Sequence, residues 1–125
     1  MTHNEISGAI LDAAIEVHRT LGPGLLESVY CAALAYELRQ RGFHVETEVS
    51  LPVRYKGVQF DLGYRIDLVV EDLVIVELKS VEALAPVHSK QLLTYLRLAD
   101  KRLGLLINFN VEYLKDGFKR IANQL

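Results

Sequence analysis

The chain has one cysteine, Cys31, so neither an intrachain disulfide nor a multi-thiolate zinc site can staple it, and the fold must rest on packing. Its apolar runs are a few residues long, far short of the roughly 20 that cross a bilayer. The opening MTHNEISGAI has no basic end leading into an apolar stretch, which predicts a cytoplasmic, unprocessed protein. Charge of one sign is not in excess either: 14 basic against 16 acidic residues give −2. That excludes nonspecific coating of nucleic acid as the main task, while leaving room for a local site. His3, His18, His44 and His88 show no H-E-x-x-H or paired spacing, and no G-x-x-x-x-G-K-[ST] or G-x-G-x-x-G occurs. Zinc and phosphate-loop chemistry are therefore unsupported. No repeat, low-complexity run or linker breaks the chain.

What is present is 125 residues, 50% apolar and 24% charged, the profile of one folded domain spanning 1–125. The charge is uneven: residues 1–96 hold 8 basic and 13 acidic groups, net −5, and residues 97–125 hold 6 and 3, net +3. Asn4 is placed to cap a first helix in which Ile6, Ile10, Ala13, Ala14, Val17 and Leu21 recur at helical spacing, stopped by Gly22-Pro23-Gly24. A second helix is expected from about Leu25 to Arg41, closed by Gly42, with Leu26, Val29, Ala33 and Leu38 facing inward. Alternating β-branched and polar residues then give a meander, FHVETEVSLPVRY, a Lys56-Gly57 turn and VQFDLGYRIDLVV. A turn at Glu71-Asp72 leads into LVIVELK, an apolar strand of the kind buried on both faces. Pro86 opens a third helix to about Ala99, and LGLLINF is a second buried strand, set beside the first by a right-handed crossover. VEYLKDGFKRIANQL reads equally as strand or short helix. The order α, α, β, β, β, α, β predicts an α/β sandwich with a mixed sheet.

Glu77 and Lys79 interrupt the apolar strand, and burying an unpaired charge costs several kcal/mol, so each needs a partner, a metal or a wet cleft. Two apart, they share a sheet face with Ile75. Asp67 lies ten residues before Glu77 across a hairpin. A two-residue turn would set Asp67 opposite Val76, facing away from Glu77, so convergence needs a three-residue turn or a bulge. Two converging carboxylates suit Mg²⁺, which keeps several waters and bridges carboxylates to phosphate, while the lysine orients water. The plain alternative is a surface ion pair, Glu77 with Lys79 or Asp67 with Arg65.

Asp67 followed by Glu77-Leu78-Lys79 resembles the D…(D/E)-x-K signature of the PD-(D/E)XK nuclease superfamily, whose core order is also αβββαβ. Gln91 and Tyr95 are similar to the Q-x-x-x-Y motif of its RecB-like branch, Gly63 to Asp67 matches that branch's G-x-x-x-D, and GLLESVY at 24–30 resembles the small GxxExxY family of the same superfamily. Ile66-Asp67 replaces the usual Pro-Asp pair. The resemblance implies a restriction-endonuclease-like core with an extra N-terminal helix. It implies a metal-dependent phosphodiesterase acting on nucleic acid, more on DNA than on RNA. Asp67 and Glu77 would hold Mg²⁺, with Mn²⁺ able to substitute, and Glu27 would be an outer ligand through water. Lys79 would position water, and Gln91 and Tyr95 would order the substrate. Tyr30, on the face of Glu27, and basic Arg97, Lys101, Arg102, Lys115, Lys119 and Arg120 are expected to meet nucleic acid. Without the resemblance, Glu27 is an ordinary first-turn acid, Tyr30 a core residue and Cys31 a buried structural thiol. His88, at the start of the third helix, is a lesser candidate for phosphate. The alternative function is a catalytically silent nucleic-acid-binding or adaptor subunit, and either form is compatible with a homodimer.

Overall fold

The computed structural model describes residues 1–125, the side chain of Leu62 excepted. Its first helix, α1 (His3–Leu21), is capped by Thr2 and not by Asn4: the Thr2 side chain accepts from the Glu5 N–H and the Glu5 carboxylate accepts from the Thr2 N–H. This reciprocal box satisfies two orphan donors at once, which a lone Asn4 does not. Helix α2 (Glu27–Gln40) is followed by β1 (Val45–Tyr55), β2 (Val58–Val70), β3 (Val74–Lys79), α3 (Pro86–Ala99) and β4 (Leu103–Asn108). The ambiguous tail is both things expected of it, a 3₁₀ turn over Leu114–Gly117 and then β5 (Phe118–Ala122). Among the described residues no helix is long and apolar enough to cross a membrane.

The five strands lie in the order β1-β2-β3-β4-β5, with β3 and β4 parallel and the other neighbours antiparallel. As the apolar runs required, β3 and β4 are central and β4 is buried throughout. Helices α1 and α2 cover one face, where Leu68, Val70, Val76, Leu78, Leu105 and Ile107 join their apolar residues. Helix α3 covers the other, packing Leu92, Tyr95 and Leu96 on Ile66, Val69, Ile75 and Leu106.

The inward face of α2 differs from the expected one. Leu38 is buried as expected, but Leu26 and Val29 are 73% and 40% exposed, and the helix buries Tyr30, Leu34 and Ala35 in their place. Tyr30 sets that rotation: its ring stacks on Phe109 at 4.5 Å, its hydroxyl donates to the Gly22 carbonyl at 2.5 Å, and it accepts from the Leu25 N–H at 3.1 Å. A fully buried ring with both hydroxyl roles filled cannot touch nucleic acid, so the binding role expected of Tyr30 is replaced by a structural one.

Tyr30→Phe leaves a carbonyl and an N–H without their partner and should destabilise the protein by about 1–3 kcal/mol in urea unfolding. Its affinity for nucleic acid should stay that of the parent.

Candidate active site

The β2–β3 turn settles the register. Glu71 and Asp72 both have φ of 54°, and three residues separate the paired Val70 and Val74. The pairs Val70 with Val74, Val69 with Ile75 and Leu68 with Val76 then place Asp67 across from Glu77, as convergence requires.

The ladder ends there. Beyond Leu68, β2 leaves β3, and the Asp67 carboxylate takes over the missing bond by accepting the Leu78 N–H at 2.8 Å through Oδ2. On its other side, Asp67 and Glu48 are the one missing rung between Thr47–Leu68 and Val49–Ile66. Glu48 has φ 49°, and the inward face reverses here: Val45 joins the α1/α2 side while Leu51 joins the α3 side. From the helix above, the Cys31 thiol donates to the Asp67 carbonyl at 3.8 Å. Burial first, and then the nearby acids led by Asp67, push that thiol up to about 11.

Glu77 is 8% exposed, and its Oε1 has no hydrogen-bond partner among the described residues. Burial first, then the charge of Asp67, push its carboxyl up to about 9, with Lys79 pulling modestly the other way. Neither proposed ion pair forms: Arg65 faces Glu48 at 3.9 Å, and among the described residues Lys79 has no carboxylate within bridging distance. Tyr95 is brought to the same side by α3. Burial and then the charge of Glu77 raise its phenol, which therefore stays a neutral donor. Gln91 is exposed one helical turn earlier.

Glu27 stands apart. Its Oε2 accepts the Ser80 N–H at 3.3 Å, and Ser80 Oγ donates to the Leu25 carbonyl at 2.6 Å, so the start of α2 is fastened just past Lys79. No group of three His, Cys, Asp or Glu side chains able to hold a metal occurs among the described residues. The candidate metal centre is thus the Asp67 and Glu77 pair. It fits a hard divalent cation: two carboxylates repel each other, one carries an orphan buried oxygen, and Mg²⁺ needs only one or two carboxylates besides water and phosphate.

The basic residues separate by position. Glu77 pairs with Leu106 and Leu106 with Lys119, so Lys119 is level with Glu77 on the same face, two strands or about 10 Å away. Arg120 points to the opposite face and donates to Asn4 of α1. Lys101 bridges to Asp72 at 3.0 Å, at the far end of β3 from Lys79, and Arg102 faces Asp100 at 3.9 Å. Lys101, Arg102 and Arg120 are therefore not gathered at the site, contrary to expectation; Arg97 is exposed in the last turn of α3, away from Gln91. His88 Nδ1 accepts the Ala85 N–H at 3.0 Å and so caps α3.

A protein-family model described as the PD-(D/E)XK nuclease superfamily matches residues 4–121, and the chain belongs to that family. Its mixed sheet with flanking helices is consistent with a restriction-endonuclease-like fold. No curated protein and no solved structure was matched.

Glu77 gives a pH signature. Burial and then the charge of Asp67 raise its carboxyl from the ordinary 4.5 to about 9, so the folded state holds a proton that the unfolded state releases. The stability this contributes is whole below about 4.5 and is lost as pH rises through 9. Without divalent metal, the melting temperature of the parent should fall across that window, and Glu77→Gln should flatten the fall.

Proposed function

We propose that this member of the nuclease superfamily is a divalent-metal-dependent phosphodiesterase that hydrolyses nucleic acid, DNA in preference to RNA. The observation that carries the reading is the buried, unpartnered Oε1 of Glu77 beside Asp67, with the ammonium of Lys79 on the same face and unpaired among the described residues. A structural carboxylate buried in a central strand would be expected to have both oxygens partnered; here Oε1 has no partner among the described residues, a defect that a cation repairs.

Asp67 and Glu77 would hold the metal, Mg²⁺ or in its place Mn²⁺. When bound, it polarises the phosphoryl oxygen and supplies an acidified water. Asp67 orients its free oxygen by anchoring Oδ2 on the Leu78 N–H. Lys79 positions the attacking water and offsets charge that develops on the phosphate. Tyr95, kept protonated, and Gln91 order the substrate from α3. Glu27, tied to Ser80, acts through water at the rim. Lys119 holds the flanking backbone.

Mn²⁺ or Mg²⁺ should raise the melting temperature of the parent, because a ligand bound only to the folded state stabilises it. Asp67→Asn should abolish the rise. Lys79→Ala should lower turnover about 100-fold or more while changing affinity in Ca²⁺ far less, the mark of a group that acts in the transition state. Lys119→Ala should weaken binding and reduce the slope of log affinity against log salt, whereas Arg120→Ala should leave that slope unchanged. A chain that binds nucleic acid in Ca²⁺ but cleaves nothing in Mn²⁺ or Mg²⁺ would be the silent adaptor instead.

A further inference from the structure

Past the point where β2 leaves β3, β1 and β2 continue as a hairpin arm that pairs only with itself. Its outer part is closed by Lys56-Gly57, with φ of 50° and 81° and Tyr55 paired to Val58. Pro52 and the segment 61–63 form a bulge, since the rungs step from Leu51–Tyr64 to Val53–Phe60. Directly opposed residues share a face, so Val53, Tyr55, Val58 and Phe60 make one apolar face, and Arg54 and Gln59 lie on the reverse. That apolar face is open: Tyr55, Val58 and Phe60 are 61%, 55% and 42% exposed. On the inner side of the bulge Tyr64, itself 46% exposed, meets the Tyr95 ring at 5.5 Å and 55°, which ties the base of the arm to the site.

The arm is also a positive island within an acidic stretch. Between 53 and 64 the basic groups are Arg54 and Lys56 and the acid is Asp61, net +1, in a region that is −5 overall. Lys56 lies over the Tyr55 ring at 5.3 Å.

We propose that this arm guides an unpaired nucleic-acid strand away from the scissile phosphate. Tyr64, Phe60 and Tyr55 are stacking surfaces for successive bases, and Lys56, set over the Tyr55 ring, attracts the backbone. The proposal rests on the reading of Asp67 and Glu77 as a phosphodiesterase site, and it assigns that site a substrate class. Charge and chemistry choose this occupant over a second copy of the chain. Two arms of like charge brought face to face repel, while a phosphodiester strand is complementary to them. Aromatic rings engage base faces, which a duplex hides within its stack, so the preference is for a single strand over a duplex.

The test uses the full chain in Ca²⁺ and fluorescence anisotropy with an oligonucleotide of about twelve nucleotides, single-stranded or as a blunt duplex. The parent should bind the single strand at least about tenfold more tightly. The pair Tyr55→Ala with Phe60→Ala, and the pair Tyr55→Leu with Phe60→Leu, should each lose about tenfold or more in single-strand affinity. The leucines keep the arm apolar and remove only the rings, and circular dichroism confirms that both variants fold. Equal affinity of the parent for strand and duplex, or full single-strand affinity in the leucine pair, overturns the proposal. So does a parent that light scattering finds dimeric and that the alanine pair, but not the leucine pair, renders monomeric, since the arm is then a contact between copies. The metal-induced rise in melting temperature is measured alongside: its absence with single-strand preference retained removes the phosphodiesterase reading and leaves the arm a strand-binding surface.

Discussion

Everything at the site follows from one substituted hydrogen bond. An antiparallel ladder that loses a rung leaves a backbone donor stranded, and here the carboxylate of Asp67 accepts the Leu78 N–H in place of a backbone carbonyl. The substitution lets β2 part from β3 without orphaning Leu78, and it fixes the Asp67 side chain in the opening it creates. Glu77 stands opposite, at the last level before the strands separate. An aspartate is short enough to reach across and charged enough to make the bond strong. Replacing it would remove a candidate ligand and the support of the strand junction together.

The central pair of strands supplies the stiffness that such a site needs. β3 and β4 run parallel and buried, joined by α3, which brings Tyr95 back to the side of the sheet that bears Glu77. Beyond that end, Asn108 holds the connection to α3 by bonding both the N–H and the carbonyl of Val81, at 3.1 and 2.9 Å. Gly117 packs so tightly beneath it that a Cβ would lie 2.2 Å from the Asn108 carbonyl oxygen, so only glycine fits. The groups assigned chemistry thus hang on rigid elements, and the one long projection is the arm.

Much of this was legible in the sequence where a local rule had no competitor. Pro86 and helical spacing gave α3 from Pro86 to Ala99, the apolar runs gave β3 and β4, and the need to bring Asp67 to Glu77 demanded the three-residue turn that is found. The family match agrees with the resemblance carried by Asp67, Glu77 and Lys79. Other features had no one-dimensional signal. Helix α2 is apolar on several sides, so spacing could not tell Tyr30 and Leu34 from Leu26 and Val29. Lys119 and Arg120 are neighbours in sequence and face opposite ways because they lie on a strand. The reversal of facing at Glu48 and Asp67 breaks the two-residue alternation itself, and Glu48 does so in a left-handed conformation that its side chain does not advertise.

The thiol above Asp67 has a use that its inertness creates. Cys31 is half-buried, and with its pKa near 11 it is almost wholly protonated at neutral pH, so it reacts slowly with alkylating agents while the helix is seated. Only when α2 lifts from β2 does it regain an ordinary thiol's reactivity. Its labelling rate is therefore a clock for breathing at the seam that holds the site together, and it needs no added probe because the chain contains no other cysteine.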